Sequence, residues 1–199
     1  PILKGKEKRK TKGGADGVLG VEGTDDEIII LRDKVIAVLQ NRDLTLEKRF
    51  DAVLNLCGIT MPEIDFSKWL DVLLGLERLD SDWTVLLNML KSRHKAIENR
   101  NIQEQACEYE QLAVYFIYRH FANAPDLQEA ALRAAFAVFG CQLIYTICTC
   151  LCAEKGTVSI DDFIEIARLF SSEIEYSDEN LYIILDELWE EIGCGKAEP

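Results

Sequence analysis

The sequence is poor in residues that break helices and in residues that carry common catalytic chemistry. Its 199 residues include four prolines and only two histidines, His94 and His120. It contains no glycine-rich nucleotide-binding motif, HExxH zinc motif, GxSxG nucleophile motif or EF-hand loop. Enzyme classes that are defined by these motifs are therefore excluded, whereas a hydrophobic content of 48% is enough for one globular core.

Basic residues are scarce outside the first twelve positions. The chain has 22 basic and 35 acidic residues, and without residues 1–12 the numbers fall to 16 and 34, a net charge of −18. Such an acidic body repels phosphate backbones and attracts cations, so we expect no nucleic-acid partner. Residues 1–23 hold six basic residues and several glycines. We expect them to be a flexible basic tail, able to touch anionic surfaces, or an expression remnant; the start at Pro1 suggests a piece of a longer protein.

The seven cysteines do not have the spacing of a disulfide framework or of a metal site. Their number is odd, no C-x-x-C occurs, and no secretory signal is recognisable. Cys148, Cys150 and Cys152 alternate along the chain, but no histidine lies close to them in sequence. We therefore expect buried core thiols, no metal ligands and a cytoplasmic location.

Apolar residues recur with helical spacing over residues 24–192. Thr24 with Glu27, and Ser159 with Asp162, have the spacing of side chains that cap a helix start. No alternating strand pattern or fixed-period repeat is present, so we predict an all-α bundle of about seven or eight helices. The predicted helices lie near residues 28–39, 46–57, 66–76, 83–97, 109–120, 134–153, 160–170 and 181–192, and residues 193–199 are predicted to be a flexible C-terminus.

Residues 134–153 contain no charged side chain, and twenty apolar residues are enough to cross a bilayer. They predict either a membrane span or the central helix of the bundle. Gln142, Thr146 and Thr149, the amphipathic neighbours and the acidic composition favour the central helix. A membrane-anchored protein remains the weaker alternative, and it predicts that the purified chain needs detergent.

Two groups of polar and aromatic residues could carry chemistry. The first comprises Tyr115, Tyr118, Arg119 and His120, in which the two tyrosines and Arg119 have the spacing of one helix face. The second surrounds Tyr176 and comprises Glu173, Glu175, Asp178 and Glu179. Each group has a structural alternative, which is aromatic core packing for the first and helix capping for the second.

Three segments resemble successive blocks of a known family. Residues 31–49 (LRDKVIAVLQNRDLTLEKR), 115–121 (YFIYRHF) and 167–181 (ARLFSSEIEYSDENL) are similar, in this order, to the flagellin lysine N-methylase family (FliB). The resemblance implies that the chain is the carboxyl-terminal portion of an enzyme. That enzyme would transfer a methyl group from S-adenosylmethionine to lysine ε-amines of a protein, which is flagellin in the best-known members.

The resemblance and the chemistry of lysine together suggest site residues. A free lysine amine, with a pKa of about 10.4, is protonated near neutral pH and must lose a proton before it attacks a methyl group. Aromatic faces stabilise the cationic donor and product. We expect the catalytic candidates to be Tyr115, Tyr118, His120 and Tyr176, and the substrate-binding candidates to be Arg119, Glu173 and Glu175.

The sequence departs from the family pattern in two ways. An amino-terminal cysteine motif of the family, thought to hold an iron–sulfur or other metal centre, has no counterpart here, so we carry over no metal ligand. Tyr176 stands where the family frequently has histidine. The alternative to an enzyme is a non-catalytic, acidic helical module that binds a basic or helical partner.

Overall fold

The computed structural model describes residues 24–61, 64–93, 105–121 and 123–194, and these residues form eight α-helices and one π-helical turn. No strand occurs in these ranges. The prediction of an all-α bundle around a central apolar helix is confirmed. In chain order the elements are α1 (Asp25–Leu39), α2 (Leu46–Leu56), α3 (Phe66–Gly75), α4 (Ser81–Arg93), α5 (Ala106–Phe121), α6 (Leu127–Lys155), α7 (Ile160–Phe170), the π turn (Ser171–Glu175) and α8 (Asp178–Cys194).

Side-chain caps fix where several helices begin. The predicted capping boxes are present at α1, where Thr24 and Glu27 bind each other's backbone N–H groups, and at α7, where Ser159 and Asp162 do the same. Gly156 ends α6 with a φ of 88°, a conformation that favours glycine. The helix boundaries are thus encoded locally, by residues that satisfy the terminal backbone groups.

The predicted uncharged segment lies within α6, which forms the centre of the bundle. α6 packs against α1, α2, α4, α5, α7 and α8. It is long and apolar enough to cross a membrane, but 78% of its most apolar 18-residue window is buried inside the protein. A helix that is apolar on all sides is what the centre of a helical domain requires, so the expectation of a core helix is confirmed.

Most described cysteines belong to the core. Cys57, Cys141, Cys148 and Cys150 are buried, whereas Cys107 is exposed and departs from the expectation. Burial raises the pKa of Cys57 to about 12 and that of Cys150 to about 11, so these thiols stay protonated near neutral pH. Within the part of the chain that the structure describes, no group of cysteine, histidine and acidic side chains is placed to hold a metal ion.

Some predictions fall outside the described residues. They concern the basic tail at residues 1–23, His94, the predicted extension of the fourth helix to residue 97, and the last five residues. At the carboxyl terminus, α8 continues to Cys194, two residues beyond the predicted end of the helical domain.

Candidate active site

The end of α5 and the π turn meet at the carboxylate of Glu175. His120 Nε2 lies 2.8 Å from Glu175 Oε1, and Arg119 Nε lies 3.1 Å from the same oxygen. The Ser171 hydroxyl donates to the other oxygen, Oε2. The Glu175 side chain has no exposed surface. A buried carboxylate is tolerated only when it is well paired, and two hydrogen bonds and one ion pair satisfy this one.

Glu175 is the last residue of the π turn. The wider i→i+5 spacing of this turn is seen where the Tyr176 N–H donates to the Ser171 carbonyl at 3.0 Å. Glu173, Ile174 and Glu175 are three consecutive residues, and all three are buried. Successive side chains on a helix point in different directions, so the turn is surrounded by protein on several sides.

Glu173 serves a different part of the fold. Its carboxylate accepts hydrogen bonds from the backbone N–H groups of Leu79 and Asp80, just before α4 begins. The fully buried Asn180 braces the same place, donating to the backbone carbonyls of Glu77 and Glu173. Helix capping was the structural alternative for the acidic group. Glu173 does accept hydrogen bonds from backbone N–H groups that precede a helix, but that helix is α4 and not α8.

The tyrosines predicted as one group lie on two sides of α5. Tyr115 lies on the side of α5 that faces the π turn, and burial, followed by the charge of Glu175, raises the pKa of its hydroxyl. The Tyr176 ring lies 4.6 Å from the Arg119 guanidinium carbon. Tyr118 instead faces α1, with its ring 5.5 Å from the guanidinium carbon of Arg32. The spacing of 115, 118 and 119 therefore does not bring all three side chains to one site.

A cleft of about 440 Å³ lies beside the Glu175 network, between α5, α6 and α8. We name it the α5–α8 cleft. Its lining residues are Arg119, His120, Asn123, Arg133, Glu175, Asp178, Leu181, Tyr182 and Leu185.

The α5–α8 cleft combines both charges with one apolar wall. Asp178 is exposed, while Arg133 is buried and donates from Nη2 to Glu129 at 2.9 Å. The buried Nε of Arg133 has no hydrogen-bond partner among the described residues. The apolar wall comes from α8, through Leu181, Leu185 and the ring of Tyr182. Such a cleft suits a ligand with an aliphatic stem and a polar, charged end.

Sequence reasoning named Arg119 and His120 in one group and Glu175 and Asp178 in another, and the structure brings these two groups to one cleft. It did not single out Tyr182, Arg133 or Ser171. Tyr182 lies four residues after Asp178 on α8, and Ser171 lies four residues before Glu175, so both contacts have helical spacing. Arg133 was visible only as a charge before the apolar segment.

Comparison with protein-family models gives a match over most of the chain. Residues 60–196, a little over two thirds of the chain, match the family model described as the FliB lysine N-methylase C-terminal domain. The match includes the resembling blocks at 115–121 and 167–181, and the block at 31–49 lies before it. No curated protein and no solved structure matches the chain. Because the family model covers most of the chain, including the α5–α8 cleft, the protein belongs to the FliB lysine N-methylase family through its C-terminal domain.

Proposed function

We propose that the chain is the carboxyl-terminal part of a cytoplasmic protein-lysine N-methyltransferase. The enzyme moves a methyl group from S-adenosylmethionine to lysine side chains of flagellin, and the α5–α8 cleft receives the target lysine. The family supports the reaction class. The single observation that supports the location is the buried Glu175 network, which holds Arg119 and His120 in the lining of a cleft that also contains the exposed carboxylate of Asp178.

The cleft matches the chemistry of a lysine side chain. The four-carbon stem can lie along Leu181 and Leu185, while the ammonium group reaches the exposed carboxylate of Asp178. Tyr182 offers an aromatic face to the cationic methylated product, an interaction worth roughly 0.5–2 kcal/mol. The cleft thus provides a partner for each part of the substrate.

The sequence-predicted residues take distinct roles in this proposal. Glu175 has no exposed surface, so it is a positioning residue that orients Arg119 and His120. With the proton on Nε2, towards Glu175, Nδ1 of His120 is the basic nitrogen and can accept the proton that the lysine loses. Arg119, stacked on Tyr176, can donate to carbonyl groups of the substrate chain.

Three predicted candidates have lesser or no part at the cleft. The raised pKa of Tyr115 keeps its hydroxyl protonated, so we do not assign it the role of the base. Glu173 is occupied by backbone N–H groups near α4, and Tyr118 lies on the α1 side. We leave both outside the proposed lysine site.

The α5–α8 cleft does not fit the whole of S-adenosylmethionine. Its charged residues could hold an amino-acid head, but its apolar lining is confined to α8 and faces the two arginines. Sites for flat heteroaromatic ligands are lined mainly by apolar and aromatic side chains. We therefore assign no residue to the donor, and we derive no step through it.

The test uses the complete polypeptide encoded by the gene, purified flagellin and S-adenosylmethionine labelled in its methyl group. Asp178→Asn and His120→Gln should each lower the rate of lysine labelling at least tenfold, whereas the exposed, remote Asp51→Asn should not. Tyr118→Phe should also keep its activity. Equal rates for the Asp178 and Asp51 variants would refute the assigned site, and a folded wild-type protein that labels no lysine would refute the reaction.

An interaction module is the second candidate function, and the charge of α8 favours it. Within Asp178–Cys194 there are six acidic residues and no basic one. Such a helix can recruit a basic partner without any chemistry. Binding of flagellin by the complete polypeptide, without methyl transfer when S-adenosylmethionine is supplied, would support this function over the enzyme.

A further inference from the structure

One face of α8 is acidic, aromatic and open to solvent. We define the acidic α8 face by Glu179, Tyr182, Ile183, Asp186 and Glu190, which recur with helical spacing and are all exposed. Glu179 and Glu190 form no ion pair with another described residue. At the edge of this face, Lys68 binds Glu187 and Glu191.

The rim of this face favours a lysine-rich occupant. Tyr182 is 54% exposed, and Tyr176, just before α8, is 69% exposed. An exposed tyrosine ring binds an ammonium group through its aromatic face, and neighbouring carboxylates attract the same positive charge. An occupant with several lysines and few apolar residues is therefore complementary to the acidic α8 face.

The chain itself contains such a segment. Residues 4–12 (KGKEKRKTK) hold five lysines and one arginine against one glutamate, and no other part of the sequence is as basic. Residues 13–23, which join this segment to α1, include five glycines. Twelve peptide steps from residue 12 to residue 24 span at most about 40 Å.

The start of α1 packs near the end of α5. Asp25 and Ile28 share a pocket of about 340 Å³ with Phe121 and Ala124, at the end of α5. His120 and Asn123, the neighbours of those residues in sequence, line the α5–α8 cleft. Residues 13–23 therefore join the basic segment to a helix start at the same end of α5 that contributes to the cleft. A short tether of this kind gives an effective concentration in the millimolar range.

We propose that residues 4–12 dock on the acidic α8 face of their own chain and compete there with basic segments of other proteins. The docking itself depends only on charge and tethering; the competition with a methylation substrate rests on the proposed function. Because the interaction joins exposed charges, it should weaken steeply as the salt concentration rises.

Carbodiimide cross-linking of the complete chain, followed by peptide mass spectrometry, tests the docking without any methyl donor. Lys4–Lys12 should couple to Glu179, Asp186 and Glu190 in 50 mM salt, and at least fivefold less in 500 mM salt. The coupling of Lys68 to Glu191, whose charged atoms lie 3.3 Å apart, is the internal positive control. Tail lysines that couple equally to the exposed acids Glu47, Asp51 and Glu154 would overturn the proposal.

A matched pair of variants gives a second measurement. Glu179→Gln/Glu190→Gln should lower the tail cross-links at least fivefold, whereas Glu47→Gln/Asp51→Asn, two exposed acids four apart on α2, should leave them unchanged. Replacing Lys4, Lys6, Lys8 and Lys10 by Gln should increase the affinity for a fluorescent hexalysine probe severalfold. An unchanged affinity for the probe would show that the tail does not occupy the face. These outcomes are independent of methyl transfer, so the docking can fail while the proposed function holds.

Discussion

His120 and Glu175 form a buried hydrogen bond of 2.8 Å that joins α5 to the π turn across 55 residues of sequence. The ring of Phe136, on the central helix α6, packs edge-on against the imidazole of His120, and the two ring centroids are 5.0 Å apart. The apolar core therefore fixes the imidazole, and Glu175 fixes its tautomer. A preorganised imidazole and guanidinium in the lining of the α5–α8 cleft are the chemical feature on which the proposed lysine site depends.

Removing the charge of Glu175 should destabilise the fold as well as the site. Glu175→Gln leaves Arg119 without its carboxylate partner and puts an amide N–H₂ group near donors, so the free energy of unfolding should fall by about 3 kcal/mol. Urea unfolding at pH 7 measures the change. Glu165→Gln is the matched control, because its pair with Arg168 is exposed to solvent and should contribute little to stability. Similar losses in both variants would contradict the structural role of Glu175.

Much of the fold could be predicted because the information is local. The capping boxes at Thr24 and Ser159 and the uncharged run within α6 depend on neighbours in sequence, and each marks its element correctly. The candidate site was predicted only in part. Arg119 and His120 are adjacent in sequence, and their convergence on Glu175 was expected only as a grouping of candidates.

The rest of the site depends on geometry that the pattern does not specify. Glu173 and Glu175 are two residues apart, so helical spacing directs them to opposite sides, but it does not show that protein covers both sides. Tyr115 and Tyr118 are three residues apart, and the 60° between them is enough to place one beside Ser171 and the other beside Arg32. Which neighbour each meets is decided by tertiary packing.

The stability of the fold should depend on the two hydrogen bonds that the side-chain amide of Asn180 donates. Its Nδ2 group donates to the carbonyls of Glu77 and Glu173 at 2.9 and 2.7 Å, and the residue is fully buried. Asn180→Asp replaces this donor by an oxygen that faces two acceptors, so the free energy of unfolding should fall by about 3–4 kcal/mol. Chemical denaturation at pH 7 measures it, with the exposed Asn88→Asp on α4 as the control for the same chemical change. A loss of under 1 kcal/mol would mean that this contact is not formed.

Gly140 marks a close approach of three helices. A Cβ atom at this position would lie 3.1 Å from ring atoms of both Phe116 and Phe170. Gly140→Ala should gain up to about 1 kcal/mol of helix propensity but lose about 1–3 kcal/mol through overpacking, giving a net destabilisation. Gly75→Ala on α3 meets no atom within 4 Å and should be neutral or stabilising. In thermal unfolding, Gly140→Ala should therefore lower the midpoint temperature, whereas Gly75→Ala should leave it unchanged or raise it.

Glu110 should make stability depend on pH through its two arginine partners. Its carboxylate accepts from Arg42 Nη2 at 3.0 Å and from Arg49 Nη1 at 2.7 Å, and Arg49 also binds the carbonyls of Leu39 and Leu44. The hydrogen bond from Arg42, together with that from Arg49, lowers the pKa of Glu110 despite the opposing effect of burial. When Glu110 is ionised, its ion pairs with Arg42 and Arg49 therefore connect α5 to α2 and to the segment between α1 and α2.

The sign of the effect follows from that lowered pKa. A carboxyl group with a lower pKa in the folded state stabilises the fold above its unfolded pKa, about 4.3, and loses this contribution as the pH falls through the folded value. Glu110→Gln should thus be less stable than the natural chain by about 2–3 kcal/mol at pH 7, and the difference should shrink as the pH falls from about 5 to 3. Urea unfolding across this range measures it. A difference between Glu110→Gln and the natural chain that stays constant over this pH range would mean that the ion pairs of Glu110 do not control acid stability.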